Sequence, residues 1–244
     1  EHENVYLQKN NASDFEAYMH TPFGTGQINQ TIWIDLNLMI TGWRQQLINN
    51  TQYIDAKFDI ADLQITNEGV SWNEIQANRI LFCDGIASME NSYFKMLPFA
   101  PNKGEALIVE IKDLPNQAIY KNNMTIVPWK DQLFWVGSNY DWEFTDTKPS
   151  IDFRNKMEMA LRQLLKIPFI VVDHIAGIRP ANQERRPFVG LHPSYPAIGI
   201  CNGMGTKGCS LAPYFAHQLI AHCEQGSPIH PEASLERFEQ ILKK

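Results

Sequence analysis

The sequence contains no apolar run long enough to cross a bilayer and no extended run of basic residues. Its longer apolar stretches, such as residues 167–172, fall far short of the roughly 20 residues that a spanning helix needs. No run of lysine or arginine exceeds two residues, and the formal net charge is −6. The electrostatic footprint of a nucleic-acid-binding protein is therefore absent. With 244 residues, 44% of them hydrophobic, the chain can bury a sizeable core, and we expect its partner to be a small metabolite.

Cysteine is scarce and shows no metal-binding or redox spacing. No pair forms a CxxC motif among the four cysteines, which are Cys83, Cys201, Cys209 and Cys223. Their apolar or glycine-rich surroundings favour buried free thiols over disulfides. We therefore expect a protein of a reducing, cytoplasmic compartment.

Signatures of hydrolases and metal enzymes are also missing. Neither HExxH nor a GxSxG elbow occurs. His217 and His222 are five residues apart, so they do not share one helical face, and His174 lies in a strand-like run where a hydrogen-bonded core histidine is common. These patterns give no support to a hydrolase or a metal centre.

The C-terminal third carries the strongest positive signal. A short apolar run at 197–201 precedes GMGTKG at 203–208, and an apolar helical pattern follows at 211–222. Strand, GxGxxG and helix are the parts of a dinucleotide-binding turn. Such a turn normally opens a βαβ unit of about 30 residues, yet Gly226, Pro228 and Pro231 break the chain soon afterwards. We expect this turn to close a nucleotide-binding sheet.

Upstream patterns predict a mixed architecture. Helices are expected at 34–48, with Asp35 near the positive end, and at about 151–165, with Ser150 as N-cap. Strands are predicted within 53–65 and at 79–83, 105–111, 124–127, 132–136 and 170–175, with 128–131 as a hairpin turn.

Several segments together resemble the FAD-dependent amino-acid oxidases, the family of glycine oxidase, sarcosine oxidase and D-amino-acid oxidase or dehydrogenase. The resemblance rests on Gly-Ile-Arg-Pro at 177–180, Pro-Phe-Val-Gly at 187–190, the GMGTKG loop and Leu-Ala-Pro at 211–213. Weaker matches are the strand ending in Cys-Asp-Gly at 83–85 and Pro-Asn-Lys-Gly-Glu at 101–105. Thr125 stands where the family commonly has a substrate-contacting tyrosine, so that role is not transferred here.

The resemblance implies an α/β fold of mixed α+β character, in which an incomplete FAD-binding layer is interleaved with an antiparallel-sheet substrate domain. The family's opening strand, GxGxxG and helix have no counterpart before Trp33, so we expect the C-terminal part of a longer enzyme, whether natural or cloned. The implied divisions are 1–33 (irregular, with the substrate domain), 34–90 (partial FAD-binding domain), 91–178 (substrate domain), 179–223 (C-terminal part of the FAD-binding domain) and 224–244 (tail with a short helix).

The resemblance also implies roles for particular residues. Arg179 would hold the substrate carboxylate, since a guanidinium matches a carboxylate with two parallel N–H donors, although a structural ion pair is the alternative. The cofactor would be contacted by Gly85 and by a loop comprising Gly203, Met204, Gly205, Thr206, Lys207 and Gly208. Aromatic residues either wall an apolar pocket or pack in the core, namely Trp129, Trp135, Tyr140 and Trp142.

The function implied is FAD-dependent oxidation of the C–N bond of a small amino acid or N-methyl amine by hydride transfer to flavin. No catalytic side chain is assigned. Two alternatives stay open: a truncated, catalytically silent binding module, and a flavin-dependent 2-hydroxy-acid or glycerol-phosphate dehydrogenase. Because the pyrophosphate-binding unit is unmatched, we expect the present chain to be inactive alone and to lack bound FAD.

Overall fold

A computed structural model describes residues 6–10 and 15–243, and the chain within it divides into two compact units. The first unit consists of the chain up to Ile34 together with Lys103–Gly177. The second consists of Asp35–Asn102 and the chain from Ile178 onward. The expected assignment of such units to substrate and cofactor binding remains a prediction.

The described elements alternate between short strands and a few helices. The strands are β1 (Leu7–Asn10), β2 (Thr25–Ile28), β3 (Leu63–Thr66), β4 (Gly69–Trp72), β5 (Ile75–Ala77), β6 (Ile80–Phe82), β7 (Asn102–Glu110), β8 (Tyr120–Lys121), β9 (Thr125–Lys130), β10 (Leu133–Gly137), β11 (Ile170–Arg179), β12 (Phe188–His192) and β13 (Tyr195–Asn202). The α-helices are α1 (Leu36–Asn49), α2 (Ile151–Leu164), α3 (Gly208–Gln225) and α4 (Glu239–Leu242). Short 3₁₀ helices cover Ile60–Asp62, Gly85–Met89, Gly205–Lys207 and Leu235–Phe238.

The first unit is built on a five-stranded sheet in the order β11, β7, β10, β9, β8. Strand β10 pairs antiparallel with both β7 and β9. Leu107, Val109, Phe134 and Val136 are buried in one apolar cluster with Phe153 of α2, as period-two alternation along strands requires. The predicted antiparallel sheet is present.

The second unit contains two three-stranded sheets, β12–β13–β6 and β3–β4–β5. Strand β12 pairs antiparallel with β13, and β13 pairs parallel with β6. One face of the first of these sheets buries Phe188, Ile198 and Ile200, and the other packs Val189 and Cys201 among residues of α3. The strands predicted at 79–83 and 197–201 therefore lie next to each other in one sheet.

Both long predicted helices in the first two thirds of the chain form where expected. Ser150 caps α2, since its Oγ accepts a hydrogen bond from the N–H of Phe153 at 3.3 Å. Asp35 caps α1 in the same way through Leu38. Helical spacing places Leu36, Ile40 and Trp43 in an apolar stripe on one face of α1, which would be expected to be buried, yet no residue of this helix is buried.

Two local predictions are wrong. Most of 53–65 is not strand: Asp59 accepts from Ala61 and starts a 3₁₀ turn, leaving only β3. The hairpin turn lies after Lys130, at Asp131 (φ 54°), rather than at 128–131. Pro128 fits inside β9 because β8 pairs only with Thr125 and Ile126, so no ladder bond on that side needs its missing N–H.

The segment before Trp33 is also more ordered than predicted. β1 and β2 form an antiparallel pair in which Leu7 lies opposite Ile28. Expectations for residues 1–5 and 11–14 lie outside the described residues. The overall class is nevertheless the mixed α and β architecture predicted.

Candidate functional site

Two neighbouring parallel strands of the second unit end in nearly the same tripeptide. Register pairs Ile198 with Ile80 and Ile200 with Phe82. Cys-Asp-Gly follows β6 at 83–85, and Cys-Asn-Gly occupies 201–203 where β13 ends. Gly85 (φ 62°) and Gly203 (φ 76°) both adopt the left-handed conformation that turns the chain sharply. The carboxyl ends of parallel strands are the usual ligand-binding edge of an open α/β sheet.

Side-chain hydrogen bonds tie the two turns to each other. The Asn202 amide donates to the carbonyl oxygen of Gly85 at 2.8 Å and to Ser88 Oγ at 2.9 Å. Its Oδ1 accepts from the N–H of Gly203 at 2.8 Å. Ser88 in turn donates to the carboxylate of Asp84. Because Asn202 is 5% exposed and Ser88 is fully buried, these bonds are shielded from water and hold the two glycine turns in one arrangement.

The GMGTKG loop is also fixed against the segment that follows β11. Asn182 donates to the carbonyl oxygens of Gly203 at 2.7 Å and of Arg186 at 2.6 Å. The N–H of Gly205 donates to the carbonyl oxygen of Pro180 at 3.2 Å. Arg179 directly precedes Pro180 in the chain. The bond to Pro180 therefore holds Arg179 near the loop that is predicted to contact a cofactor.

The loop leads into the N-terminus of α3 with no side chain capping it. Lys207 is the N-cap residue, and its side chain makes no capping hydrogen bond. The start of this 18-residue helix therefore carries partial positive charge with no side-chain cap on it. Thr206 and Lys207 are exposed, while Met204 is partly buried against α3.

Arg179 is oriented by a neighbour that sequence reasoning did not single out. Its Nη1 donates to Oδ1 of Asn102 at 2.7 Å, and Asn102 is 2% exposed. Backbone pairing supports this position, since the N–H of Ala100 donates to the carbonyl oxygen of Ala181 at 2.8 Å. This bond to a buried amide helps to orient the guanidinium. The signal in the sequence was Asn102 itself, inside the Pro-Asn-Lys-Gly-Glu match.

The predicted cofactor residues therefore come together, with Arg179 in the same unit. Gly85 and Gly203 meet through Asn202, and Gly205 meets Pro180. The structure adds four residues to the sequence-based set, namely Ser88, Asn102, Asn182 and Asn202. All four are buried polar side chains, which carry no periodic signal and were found only through their partners. The binding roles themselves remain predictions.

A buried polar cluster occupies the first unit. Glu105 is 1% exposed and accepts hydrogen bonds from the N–H of Ser150 at 2.5 Å and its Oγ at 2.8 Å. Burial alone would raise the pKa of Glu105, but the Ser150 bonds and the charges of Lys103 and His174 together hold it below its ordinary value. The carboxylate thereby ties the start of α2 to β7.

His174 belongs to the same cluster. Its ring stacks on Phe153 at 5.4 Å, and its Nε2 lies 3.0 Å from Glu105 Oε2 without the alignment of a hydrogen bond. Burial lowers the pKa of His174, and the Glu105 charge opposes that shift only in part. The predicted hydrogen-bonded core histidine is therefore a half-buried stacked one.

Two further expectations are corrected. Cys83 and Cys209 are exposed, and Cys201 and Cys223 are only half-buried, so these free thiols are not the buried ones expected. The expected core packing of the aromatic group fails for three of its members, because Trp129, Tyr140 and Trp142 are each at least 44% exposed. Trp129 lies near the end of β9, and Tyr140 and Trp142 lie in the loop that follows β10.

A surface depression on the second unit does not coincide with the glycine turns. It measures about 500 Å³ and is lined by residues near the amino ends of β6 and β13, including Arg79 and Ala197. The polar turns lie at the opposite ends of the same strands, and we place the candidate site there because that is where the uncapped helix and the hydrogen-bonded turns are.

Among residues 6–10 and 15–243, no three His, Cys, Asp or Glu side chains are grouped to hold a metal ion. None of the helices in that part of the chain has the length and apolar character to span a membrane.

Comparison with known proteins identifies the family of the chain. A profile of the DAO family, described as FAD-dependent oxidoreductase, matches residues 45–222. The chain belongs to this family. The matched range includes both glycine turns and Arg179.

Individual relatives agree with the family. Glycine oxidase of Bacillus subtilis (strain 168) is 31% identical over 149 residues, which cover 57% of this chain and 39% of that protein. The chain thus spans less than half the length of this curated relative. A fructosamine oxidase from Aspergillus fumigatus superposes with a TM-score of 0.71 at 12% identity, covering 95% of this chain and 64% of that one. An FAD-bound L-α-glycerophosphate oxidase from Mycoplasma pneumoniae gives 0.68 at 14% identity, covering 94% and 68%. At these identities the structural matches show the fold alone.

Proposed function

We propose that this chain forms part of an FAD-dependent oxidase that acts on the C–N bond of a small amino acid or N-methyl amine. Membership in the DAO family and the 31% identity to a glycine oxidase support the reaction class. The observation that carries the proposal is the bond between Gly205 and Pro180, because it joins the glycine loop to the segment that bears Arg179.

The residues present fit a flavin at the strand ends. Gly85 has a positive φ, and no atom lies within 4 Å of where its Cβ would stand, so the turn leaves room for a ligand. The uncapped N-terminus of α3 suits the partial negative charge of an electron-rich ring edge. We propose Gly85 and the loop of Gly203, Met204, Gly205, Thr206, Lys207 and Gly208 as the flavin-binding residues. When bound, FAD supplies the two-electron acceptor chemistry that C–N oxidation requires.

Arg179 is proposed to bind the carboxylate of the substrate. Asn102 accepts a hydrogen bond from one guanidinium nitrogen of Arg179 and so helps to orient a group that matches carboxylates with two parallel N–H donors. Holding the carboxylate fixes the orientation of the neighbouring carbon, and such positioning is worth several kcal/mol of barrier in bimolecular reactions. No side chain is proposed as a general base, because an amine that binds in its neutral form does not need one.

The substrate class is open to one specific alternative. A guanidinium pairs with phosphate as well as with carboxylate, so a glycerol-phosphate substrate would use the same residue. We further propose a cytoplasmic location, which the four free thiols support.

The test uses the product of the whole natural reading frame that contains this chain. Purified protein would be assayed for flavin absorbance and for turnover of glycine, sarcosine, D-alanine, lactate and glycerol 3-phosphate. Turnover of an amine with bound flavin is the expected result. Turnover confined to the hydroxyl substrates would move the assignment to the alternative, and a flavin-free protein that still binds a carboxylate would identify a binding module.

A further inference from the structure

The ends of β6 and β13 bring together two cysteines whose pairing the proposed oxidation does not use. Register pairs Ile200 with Phe82, so the next pair along the parallel strands is Cys201 and Cys83. Neighbouring strands lie about 4.8 Å apart, which is within the range of Cα separations that a disulfide spans. Leu81 and Cys201 both pack on the face that carries α3, and strand alternation puts Cys83 on the same side as Leu81.

Paired positions on neighbouring strands and a shared face of the sheet place the two thiols next to each other. We propose that Cys83 and Cys201 are a redox-active thiol pair that hydrogen peroxide oxidises to an intramolecular disulfide. This chemistry does not depend on the proposed function, although an oxidase that reduces oxygen would make peroxide next to the pair.

The environment assigns different roles to the two sulfurs. The hydrogen bond from the Cys201 side chain lowers the pKa of Cys83 to about 7, against the opposing effects of burial and of Asp84. The same bond and burial raise the pKa of Cys201. Cys83 is also exposed, so it is the thiol that meets dissolved peroxide first as a thiolate.

The reaction balances in two steps. The Cys83 thiolate attacks one peroxide oxygen, so that an S–O bond forms, the O–O bond breaks and hydroxide leaves, giving a sulfenic acid. The Cys201 sulfur then attacks the Cys83 sulfur, an S–S bond forms, the S–O bond breaks, and the departing hydroxide takes the proton of the Cys201 thiol as water. Overall, two thiols and one hydrogen peroxide become one disulfide and two waters.

The remaining cysteines make a natural control. Cys209 and Cys223 are 14 positions apart on α3 (223 − 209), which corresponds to about 21 Å at 1.5 Å per residue. That distance excludes a disulfide between them. Burial raises the pKa of Cys223, so its thiol is less readily ionised at physiological pH. Cys223 does share an apolar cluster with Cys201, so a Cys201–Cys223 bridge is the competing product.

Digestion with trypsin distinguishes a Cys83–Cys201 bridge from a Cys201–Cys223 bridge. Cleavage after lysine and arginine leaves Cys83 in peptide 80–95, Cys201 in peptide 186–207, and both other cysteines in peptide 208–237. The reduced 244-residue chain would be treated with hydrogen peroxide, blocked with iodoacetamide and digested without reductant. We expect peptides 80–95 and 186–207 to appear cross-linked, lighter by two hydrogen atoms than their sum.

Variants test the order of events. In Cys201→Ser, a dimedone probe should capture Cys83 as a sulfenic acid, whereas Cys83→Ser should leave Cys201 unmodified and Cys209→Ser should leave the cross-link unchanged. At pH 7, Cys83 should react with iodoacetamide about tenfold faster than free cysteine in solution, since about half of Cys83 is ionised against a few per cent of an ordinary thiol. Cross-linking to peptide 208–237, or sulfinic acid at Cys83 with Cys201 still reduced, would overturn the proposal.

Discussion

Asn202 donates one hydrogen bond to the carbonyl oxygen of Gly85, 117 positions earlier in the chain. The same side chain donates to Ser88 and accepts from Gly203, so three groups of two separate turns depend on one buried amide. Both turns follow adjacent parallel strands. The geometry of the strand-end site is therefore set by Asn202 rather than by the glycines alone.

Replacing Asn202 with aspartate should destabilise the second unit. The substitution keeps the size of the side chain, removes two donors and places a negative charge against the Gly85 carbonyl oxygen. We expect the free energy of unfolding to fall by about 2–3 kcal/mol, measured by urea denaturation at pH 7. The matched control is Asn78→Asp at an exposed position of the same unit, where a change within about 0.5 kcal/mol is expected. Equal effects of the two substitutions would show that the Asn202 bonds contribute nothing.

Replacing Arg179 tests substrate binding. In the flavin-loaded enzyme, Arg179→Leu should lower kcat/KM by about 100-fold or more for amines that carry a carboxylate, because losing one partner of a buried charge pair costs about 2–5 kcal/mol. Amines without a carboxylate should lose much less. Arg79→Leu, at an exposed arginine before β6, provides the control. A similar loss for both kinds of amine would remove Arg179 from carboxylate binding.

The elements that could be predicted from the sequence are those with strong local signals. The N-cap residue Ser150 predicts the start of α2. The short apolar runs at 79–83 and 197–201 predict β6 and β13, because buried parallel strands are apolar throughout. The glycine loop is another strong local signal, because left-handed turns require glycine.

The features that the sequence does not predict depend on contacts between residues far apart in the chain. Asn102 and Asn202 act through partners 77 and 117 positions away, and an isolated asparagine gives no periodic signal of such a partner. The sequence predicts the turn too early because Pro128 is typical of turns. Only the structure shows that β8 does not pair with Pro128, so that a proline fits within β9. The stripe on α1 predicted burial, yet periodicity shows only that a face is apolar and not what covers it.

Acidification should weaken the first unit through Glu105. The folded-state pKa of this carboxyl lies below its unfolded value of about 4.3, so its stabilising effect is complete above that value and is lost as pH falls through the folded pKa. Glu105→Gln should lower the free energy of unfolding at pH 7 by about 3 kcal/mol and flatten its dependence on pH below about 4.3. Glu110→Gln on the same strand is the control, since Glu110 is partly exposed and pairs with Lys112 at 3.9 Å. If the free energy of unfolding of Glu105→Gln depended on pH below about 4.3 as steeply as that of the unchanged chain, the stabilising role of the Glu105 carboxylate would be contradicted.

Cofactor retention tests how much of the flavin site this chain supplies. We expect the 244-residue chain, loaded with excess FAD, to leave gel filtration colourless and to show no oxidase activity with glycine, sarcosine or D-alanine. The reason is that a strand, GxGxxG and a ribose-binding acid are missing ahead of Trp33 in its sequence. A longer natural version that adds such a unit should be yellow. Stoichiometric FAD on the present chain would show that the strand-end site binds the cofactor unaided.

Three glycine-to-alanine substitutions separate backbone strain from crowding at the same site. Gly208 has φ −54° and open space where a Cβ would stand, so Gly208→Ala should be neutral or stabilise by about 0.5 kcal/mol. Gly85 has equally open space but φ +62°, so its alanine variant should lose about 1–2 kcal/mol from the left-handed conformation alone. Gly203 combines φ +76° with contacts of 2.9 Å from a Cβ to Asn182 and Phe188, which should raise the loss to about 3 kcal/mol or more. Urea denaturation of the three variants should therefore rank them Gly208, Gly85, Gly203 in increasing loss. If Gly203→Ala cost no more than Gly85→Ala, Asn182 and Phe188 would have to yield to the new methyl group, and the loop would be less tightly held than its hydrogen bonds indicate.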